Sequence, residues 1–225
     1  MLTIYDTLFA RYGDPQWWPV SARTEAATCD ERLRVAYEIM VGAVLTQNTA
    51  WRNVEKALAG FNGDLTPQRV ASLSVAELSE IIRPSGFFNQ KTAYLHALTR
   101  WFERYGYDVD AIASQPLNEL RRELLEVRGV GRETADSILL YAFGLPTFVV
   151  DAYTMRLLAR LPCDVEPKYA AVKALFEAQI PCDAALYNRF HGLIVVNATQ
   201  HCRAKPQCDG CPLRDAKICA YAQNL

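Results

Sequence analysis

Residues Val127–Arg156, VRGVGRETADSILLYAFGLPTFVVDAYTMR, decide how the rest of the chain is read. Gly129-Val130-Gly131 opens a helix. Its Ala135, Ile138, Leu139, Ala142 and Phe143 recur at i, i+3, i+4, i+7 and i+8, so one face is built to pack. Two glycines one residue apart let the backbone turn sharply and come close to a ligand. Amides at the start of the following helix attract an anion such as a phosphate. Alone, such a GxG is more often only a tight turn. Asp151 adds weight: it follows the apolar run Phe148-Val149-Val150 and opens a second helix, expected over 152–161. Asp is a favoured N-cap, and a carboxylate close to a phosphate-binding hairpin is also placed to act on a sugar.

The surrounding chain has 225 residues, 51% hydrophobic and 22% charged, enough for one large or two modest domains. No apolar run is long enough to span a membrane, and MLTIYDTLFARYG lacks the pattern of a signal peptide. The expectation is a cytoplasmic, nucleoid-associated protein without a membrane partner. A formal charge of −1 argues against extensive nonspecific coating of DNA, while leaving room for a local basic site. Arg121, Arg122, Arg128 and Arg132 flank the hairpin; Arg203, Lys205, Arg214 and Lys217 mark the tail.

From the start, residues 1–12 read as a short amphipathic helix. Trp17-Trp18 then sits between Pro15 and Pro19. Two indoles here either wedge between helices as core or form a wall for a flat cation. Helix 31–46 buries Val35, Ile39, Met40, Ala43 and Val44 and ends in the polar break Gln47-Asn48, with Trp51 starting the next helix, as core or as a second stacking face. Short helices are expected over 67–82 and a turn over Arg83–Lys91. Lys91 reads as a solvated surface lysine or a phosphate contact. Further helices are expected over 91–104, 117–126, 167–180 and 184–199, with no internal repeat and no convincing strand. His201, beside Cys202, reads as hydrogen-bonded or exposed rather than as a ligand.

GVGRETA followed by VVDAYTMR resembles the helix-hairpin-helix and catalytic aspartate of the endonuclease III superfamily of DNA glycosylases. Gln16–Pro19, Gly42–Thr49 (GAVLTQNT), Arg83–Phe87 and Gly129–Glu133 together are similar to the 3-methyladenine DNA glycosylase III subgroup, over about residues 14–195. The resemblance implies an all-α fold in two parts flanking a DNA-binding cleft. One is a six-helix barrel over about 30–145; the other is discontinuous, 1–29 with 146–225. It implies Asp151 as the catalytic acid and Trp17, Trp18, Pro19 and Trp51 as walls of a base pocket. Gln47, Asn48, Arg128, Gly129, Val130, Gly131, Arg132, Glu133 and Thr134 would contact DNA, Gln47 by filling the gap left by an extruded base.

Members that also cut the backbone carry a lysine where this chain has Glu133, and a carboxylate cannot form an imine. Glu133 also suits the first turn of a helix. The expectation is therefore a monofunctional glycosylase removing alkylated bases such as 3-methyladenine from double-stranded DNA, acting as a monomer. Its rivals are a bifunctional glycosylase and lyase on oxidised pyrimidines, and a non-catalytic iron–sulfur DNA-binding protein.

The tail CRAKPQCDGCPLRDAKIC carries Cys202, Cys208, Cys211 and Cys219, spaced C-x5-C-x2-C-x7-C. Such crowding reads as metal or cluster ligation rather than a disulfide framework, and spacing separates zinc from iron–sulfur poorly. The superfamily's cluster loop is C-x6-C-x2-C-x5-C, so the resemblance implies a [4Fe-4S] cluster in a loop 202–219, although both outer gaps differ. Many members of the alkyladenine subgroup are thought to lack that loop.

Overall fold

The computed structural model describes residues 1–20 and 28–223. Residues 21–27, part of the segment expected to precede the barrel, lie outside the described residues. The described chain is helical, with no strand among its residues. In order the helices are α1 (Leu2–Tyr12), α2 (Cys29–Leu45), α3 (Trp51–Ala59), α4 (Pro67–Ser72) and α5 (Val75–Ile81). A 3-10 turn, Arg83–Ser85, leads into α6 (Phe88–Glu103), α7 (Val109–Ala113), α8 (Leu117–Glu126) and α9 (Arg132–Ser137). The last continues as a wider π-helical turn, Ile138–Ala142. Then come α10 (Ala152–Leu158), α11 (Tyr169–Gln179), α12 (Ala184–Gln200), α13 (Pro212–Asp215) and α14 (Ala220–Gln223).

The chain divides into two compact units, Met1–Pro19 with Pro146–Leu225, and Val20–Leu145. Within Val20–Leu145, α2 is the central helix. It is buried from Ala36 through Leu45 apart from Glu38, because its C-terminal half is apolar on every side. Thr28 and Glu31 close a capping box at its start. Ser74 and Glu77 do the same for α5. Around α2 pack Val54, Leu78, Leu95, Phe102, Leu120, Leu124, Ile138 and Leu139, all at most 1% exposed. Removing that much apolar surface from water is the main stabilising term of the unit.

The other unit is built on α12. Phe148 stacks on Phe176 of α11 at 4.1 Å and meets Tyr187 and Phe190 of α12 edge-on. Tyr5 of α1 meets Phe190 edge-on from the chain's beginning. Offset and edge-on pairs of this kind are favoured by the ring quadrupoles. The apolar run 148–150 is fully buried but stays extended and unpaired.

Most expected helices lie within two residues of their observed limits. Helix α6 differs: it begins at Phe88, three residues before the expected start at residue 91, because Phe87 takes a left-handed conformation (φ 47°) that starts the helix without a capping side chain. The short helices α7, α13 and α14 have too few residues to show a period.

Candidate active site and nucleic-acid interface

The hairpin lies between α8 and α9 and is braced from three directions within its own unit. Arg121 on α8 makes a two-pronged ion pair with Asp136 on α9, at 2.7 and 3.1 Å; Asp136 is fully buried. Arg121 therefore ties the two helices together rather than adding to a local basic site. Gly129 has φ +87° and lies flat on the ring of Tyr94; a Cβ placed there would come within 2.0 Å of that ring. Gln47, in the turn after α2, donates through Nε2 to the Gly129 carbonyl and to Thr134 Oγ1, each at 3.0 Å.

These contacts sort the residues expected to touch DNA. Val130 and Thr134 are buried, and their side chains are not open to a ligand. Arg128, Gly131, Arg132 and Glu133 are exposed, as is Asn48, which has φ 54°. Glu133 occupies the first turn of α9, where the helix dipole favours an acid. Trp51 starts α3 and packs, partly buried, against the core of this unit.

Two residues of this unit escaped the sequence reading. Lys91 is 2% exposed rather than a surface lysine. Its Nζ donates to the carbonyls of Leu45 and Ser85, both at 2.8 Å, and burial lowers its pKa to about 8. It thereby joins the end of α2 to the turn before Phe87. Phe87 itself is 62% exposed while holding a backbone conformation that L-residues avoid. An apolar pair directly after Pro-Ser-Gly was the available signal.

In the other unit, Asp151 is the N-cap of α10. Its Oδ1 accepts from the Thr154 amide at 2.7 Å and from Thr154 Oγ1 at 2.9 Å. The side chain is 12% exposed, and Oδ2 lies 3.5 Å from Nε2 of His191 on α12. Burial alone would raise its pKa. The nearby imidazole, with the Thr154 donors, outweighs that and holds the carboxyl below its ordinary value. The structure shows the capping reading of Asp151: the cap uses Oδ1, and Oδ2 is turned toward His191. His191 was missed; on a helix this apolar its position reads as packing.

Trp17 and Trp18 meet edge-on at 5.7 Å, and the Trp17 ring is 6.2 Å from the His191 ring. Trp18 is 7% exposed, whereas Trp17 and Pro19 are partly exposed.

Cys202, Cys208, Cys211 and Cys219 line one small, partly open pocket beside Leu157, Arg160, Asn197 and His201. Arg160 Nη1 donates to Cys202 Sγ at 3.1 Å. Backbone amides of Leu213 and Arg214 donate to Cys211. Burial first, and then the neighbouring thiols, push Cys208 and Cys211 up. Among the described residues, no group of three or more His, Cys, Asp or Glu is arranged to hold a metal ion. The four cysteines do share the lining of one pocket, and cysteine sulfur with amide and guanidinium donors nearby is the donor chemistry of an iron–sulfur cluster. His201 Nδ1 faces the Gln207 carbonyl at 3.0 Å.

Among the described residues no helix is long and apolar enough to cross a membrane. Residues 41–182 match the family model described as HhH-GPD superfamily base excision DNA repair protein. The chain is 42% identical over 217 residues to "Putative DNA repair glycosylase MJ1434" of Methanocaldococcus jannaschii, covering 94% of this chain and 93% of that protein. It is 26% identical to an endonuclease III of Sulfolobus acidocaldarius, over 84% of each. Among solved structures, the H. pylori 3-methyladenine DNA glycosylase bound to 1,N6-ethenoadenine is similar at TM-score 0.70 and 28% identity, with 88% of this chain and 96% of that one covered. A trapped endonuclease III–DNA covalent intermediate shares the fold, with TM-score 0.76 at 24% identity over 99% of this chain and 95% of that one.

Proposed function

We propose, for a chain that belongs to the HhH-GPD superfamily of base excision DNA repair proteins, that it is a monofunctional DNA glycosylase hydrolysing the N-glycosidic bond of alkylated bases such as 3-methyladenine. That it is a glycosylase acting on DNA follows from the family and its relatives. The finer reading rests chiefly on position 133, where the chain has a glutamate. A carboxylate there cannot attack the sugar as an amine and form a Schiff base. The likeness to a 3-methyladenine glycosylase supports the same substrate class.

The chemistry asked of the protein is modest. An N3-alkylated adenine is already a cation and leaves with the glycosidic electron pair, becoming neutral, without a general acid. The sugar left behind carries positive charge. The Oδ2 atom of Asp151, which Thr154 does not bond, stabilises that charge and takes the proton of the water that attacks C1′. The exposed amides and Arg128 and Arg132 of the hairpin hold a backbone phosphate. An indole face for the flat cationic base is assigned to Trp17, beside Pro19; Trp18, buried at 7% exposure, packs behind it rather than walling the pocket. Extrusion of the nucleotide costs a few kcal/mol, less for a damaged base.

A [4Fe-4S] cluster would be held by Cys202, Cys208, Cys211 and Cys219, and its chemistry here is structural, pinning the tail. That tail, together with relatives named endonuclease III, is what favours the second reading, a bifunctional enzyme on oxidised pyrimidines.

The test is a panel of duplexes, each with one lesion, scored for base release with and without alkali, and a parallel borohydride trap. Release of alkylated bases with strand cleavage only after alkali supports the proposal. A trapped covalent adduct overturns it in favour of the second reading.

A further inference from the structure

We infer that His191 is a positioning residue for Asp151: its Nε2 lies 3.5 Å from Oδ2 and steadies that oxygen, while Thr154 holds Oδ1. This rests on the proposal that Asp151 stabilises a sugar cation.

The pair is built deliberately by the packing. At Gly192, the next residue of α12, an added Cβ would come within 2.7 Å of Trp17 Cβ and 2.8 Å of Pro15 Cγ. Only glycine lets the 15–18 segment lie this close to the helix. The imidazole is fenced by the Trp17 ring and by Phe148, whose ring centre is 6.5 Å away, and only 4% of its side chain is exposed. Electrostatic effects in so dry a place are larger than in water.

Other titratable groups on the packed elements are engaged elsewhere. Arg189 of α12 bonds Asp14 and Tyr5, Arg156 of α10 bonds the Cys202 carbonyl, and Tyr12 of α1 bonds Asn197. Lys173 of α11 pairs with Glu177 beside Phe148.

An N–H on Nε2 aimed at Oδ2 steadies that oxygen where it faces the cation forming on the sugar.

His191→Gln keeps an N–H donor; His191→Leu removes it. Single-turnover release from a 3-methyladenine duplex is measured, with DNA affinity and melting temperature alongside. His191→Gln should keep the rate within a few-fold. His191→Leu should lose on the order of tenfold in rate with unchanged DNA affinity, the signature of an interaction used in the transition state. A wild-type rate in His191→Leu, or a rate tenfold or more below wild type in a stably folded His191→Gln, overturns the inference. If His191→Leu melts too low to assay, the His191→Gln rate decides alone. Asp151→Asn separates the two levels. Base release by that variant removes Asp151 from the mechanism and with it the premise of this inference, whereas an inactive Asp151→Asn beside an unaffected His191→Leu sinks only the role of His191.

Discussion

Gln47 Nε2 donates at once to the Gly129 carbonyl and to Thr134 Oγ1, both at 3.0 Å, so the turn after α2 and the hairpin form one hydrogen-bonded piece. The glutamine expected to enter the duplex is, in this structure, a brace of the hairpin. Its entry into DNA would require both bonds to be exchanged.

Gln47→Ala should therefore act on stability and on DNA together. Two part-buried hydrogen bonds at about 1 kcal/mol each predict a loss of about 2 kcal/mol in urea unfolding. The loosened hairpin should also weaken affinity for undamaged duplex. A variant with wild-type stability would show that the brace carries no energy.

The two hairpin glycines should separate fold from function. Gly129→Ala drives a Cβ into the Tyr94 ring at 2.0 Å from a left-handed backbone, so the variant should melt far below wild type. At Gly131 an added Cβ meets nothing within 4 Å and φ is −90°. Gly131→Ala should fold normally. If the amides there approach a phosphate, it should nevertheless bind DNA more weakly and with a reduced salt dependence. Wild-type binding by Gly131→Ala would remove that hairpin position from the interface.

Lys91 makes a pH prediction with a definite sign. Its pKa is about 8 in the fold against an ordinary 10.5, so between those values the unfolded chain binds the extra proton. Stability contributed by this group therefore rises with pH across that window and is flat below it. Lys91→Met should remove the slope, read as the difference between wild-type and variant unfolding free energies from pH 8 to 10. Parallel curves would mean that the amine titrates normally.

What the sequence disclosed and what it hid follow one physical line. The hairpin, the cap at Asp151 and the crowded cysteines are local patterns, set by neighbours within a few residues, and a reading by spacing reaches them. Lys91 follows a turn, where lysines are normally solvated; only the meeting of two carbonyls from Leu45 and Ser85 makes it a buried donor. His191 sits in an apolar helix, and its partner Asp151 is 40 positions away. Arg121 looked like part of a basic patch until Asp136 was seen beneath it. Each of these depends on which side chains the fold brings together, which composition and periodicity do not carry.

The tail makes a compositional prediction. Purified under anaerobic conditions, the chain should carry four irons and four acid-labile sulfides, the stoichiometry of a [4Fe-4S] cluster. Cys211→Ser, at the most enclosed of the four positions, should lower both. It should also expose the 202–219 segment to protease, because Arg160 anchors that segment through the carbonyls of Arg203 and Ala204 as well as through Cys202. Stoichiometric zinc without sulfide would replace the cluster by a single-ion site.

Phe87 sets stability against function in a single substitution. Its φ of 47° costs a non-glycine residue on the order of 1 kcal/mol, and its ring is left 62% exposed. Neither feature stabilises the fold. Apolar side chains that project from a protein onto DNA wedge between base steps, and Lys91 fixes this turn to the end of α2, two residues before Gln47. Phe87→Gly should relieve the backbone and raise the melting temperature by a few degrees while lowering base release and duplex affinity. Phe87→Leu, which keeps an apolar projection, should retain most activity. If Phe87→Gly is more stable and equally active, the exposed ring has no part in holding DNA; if it is less stable, the ring is packing against something the exposure does not show.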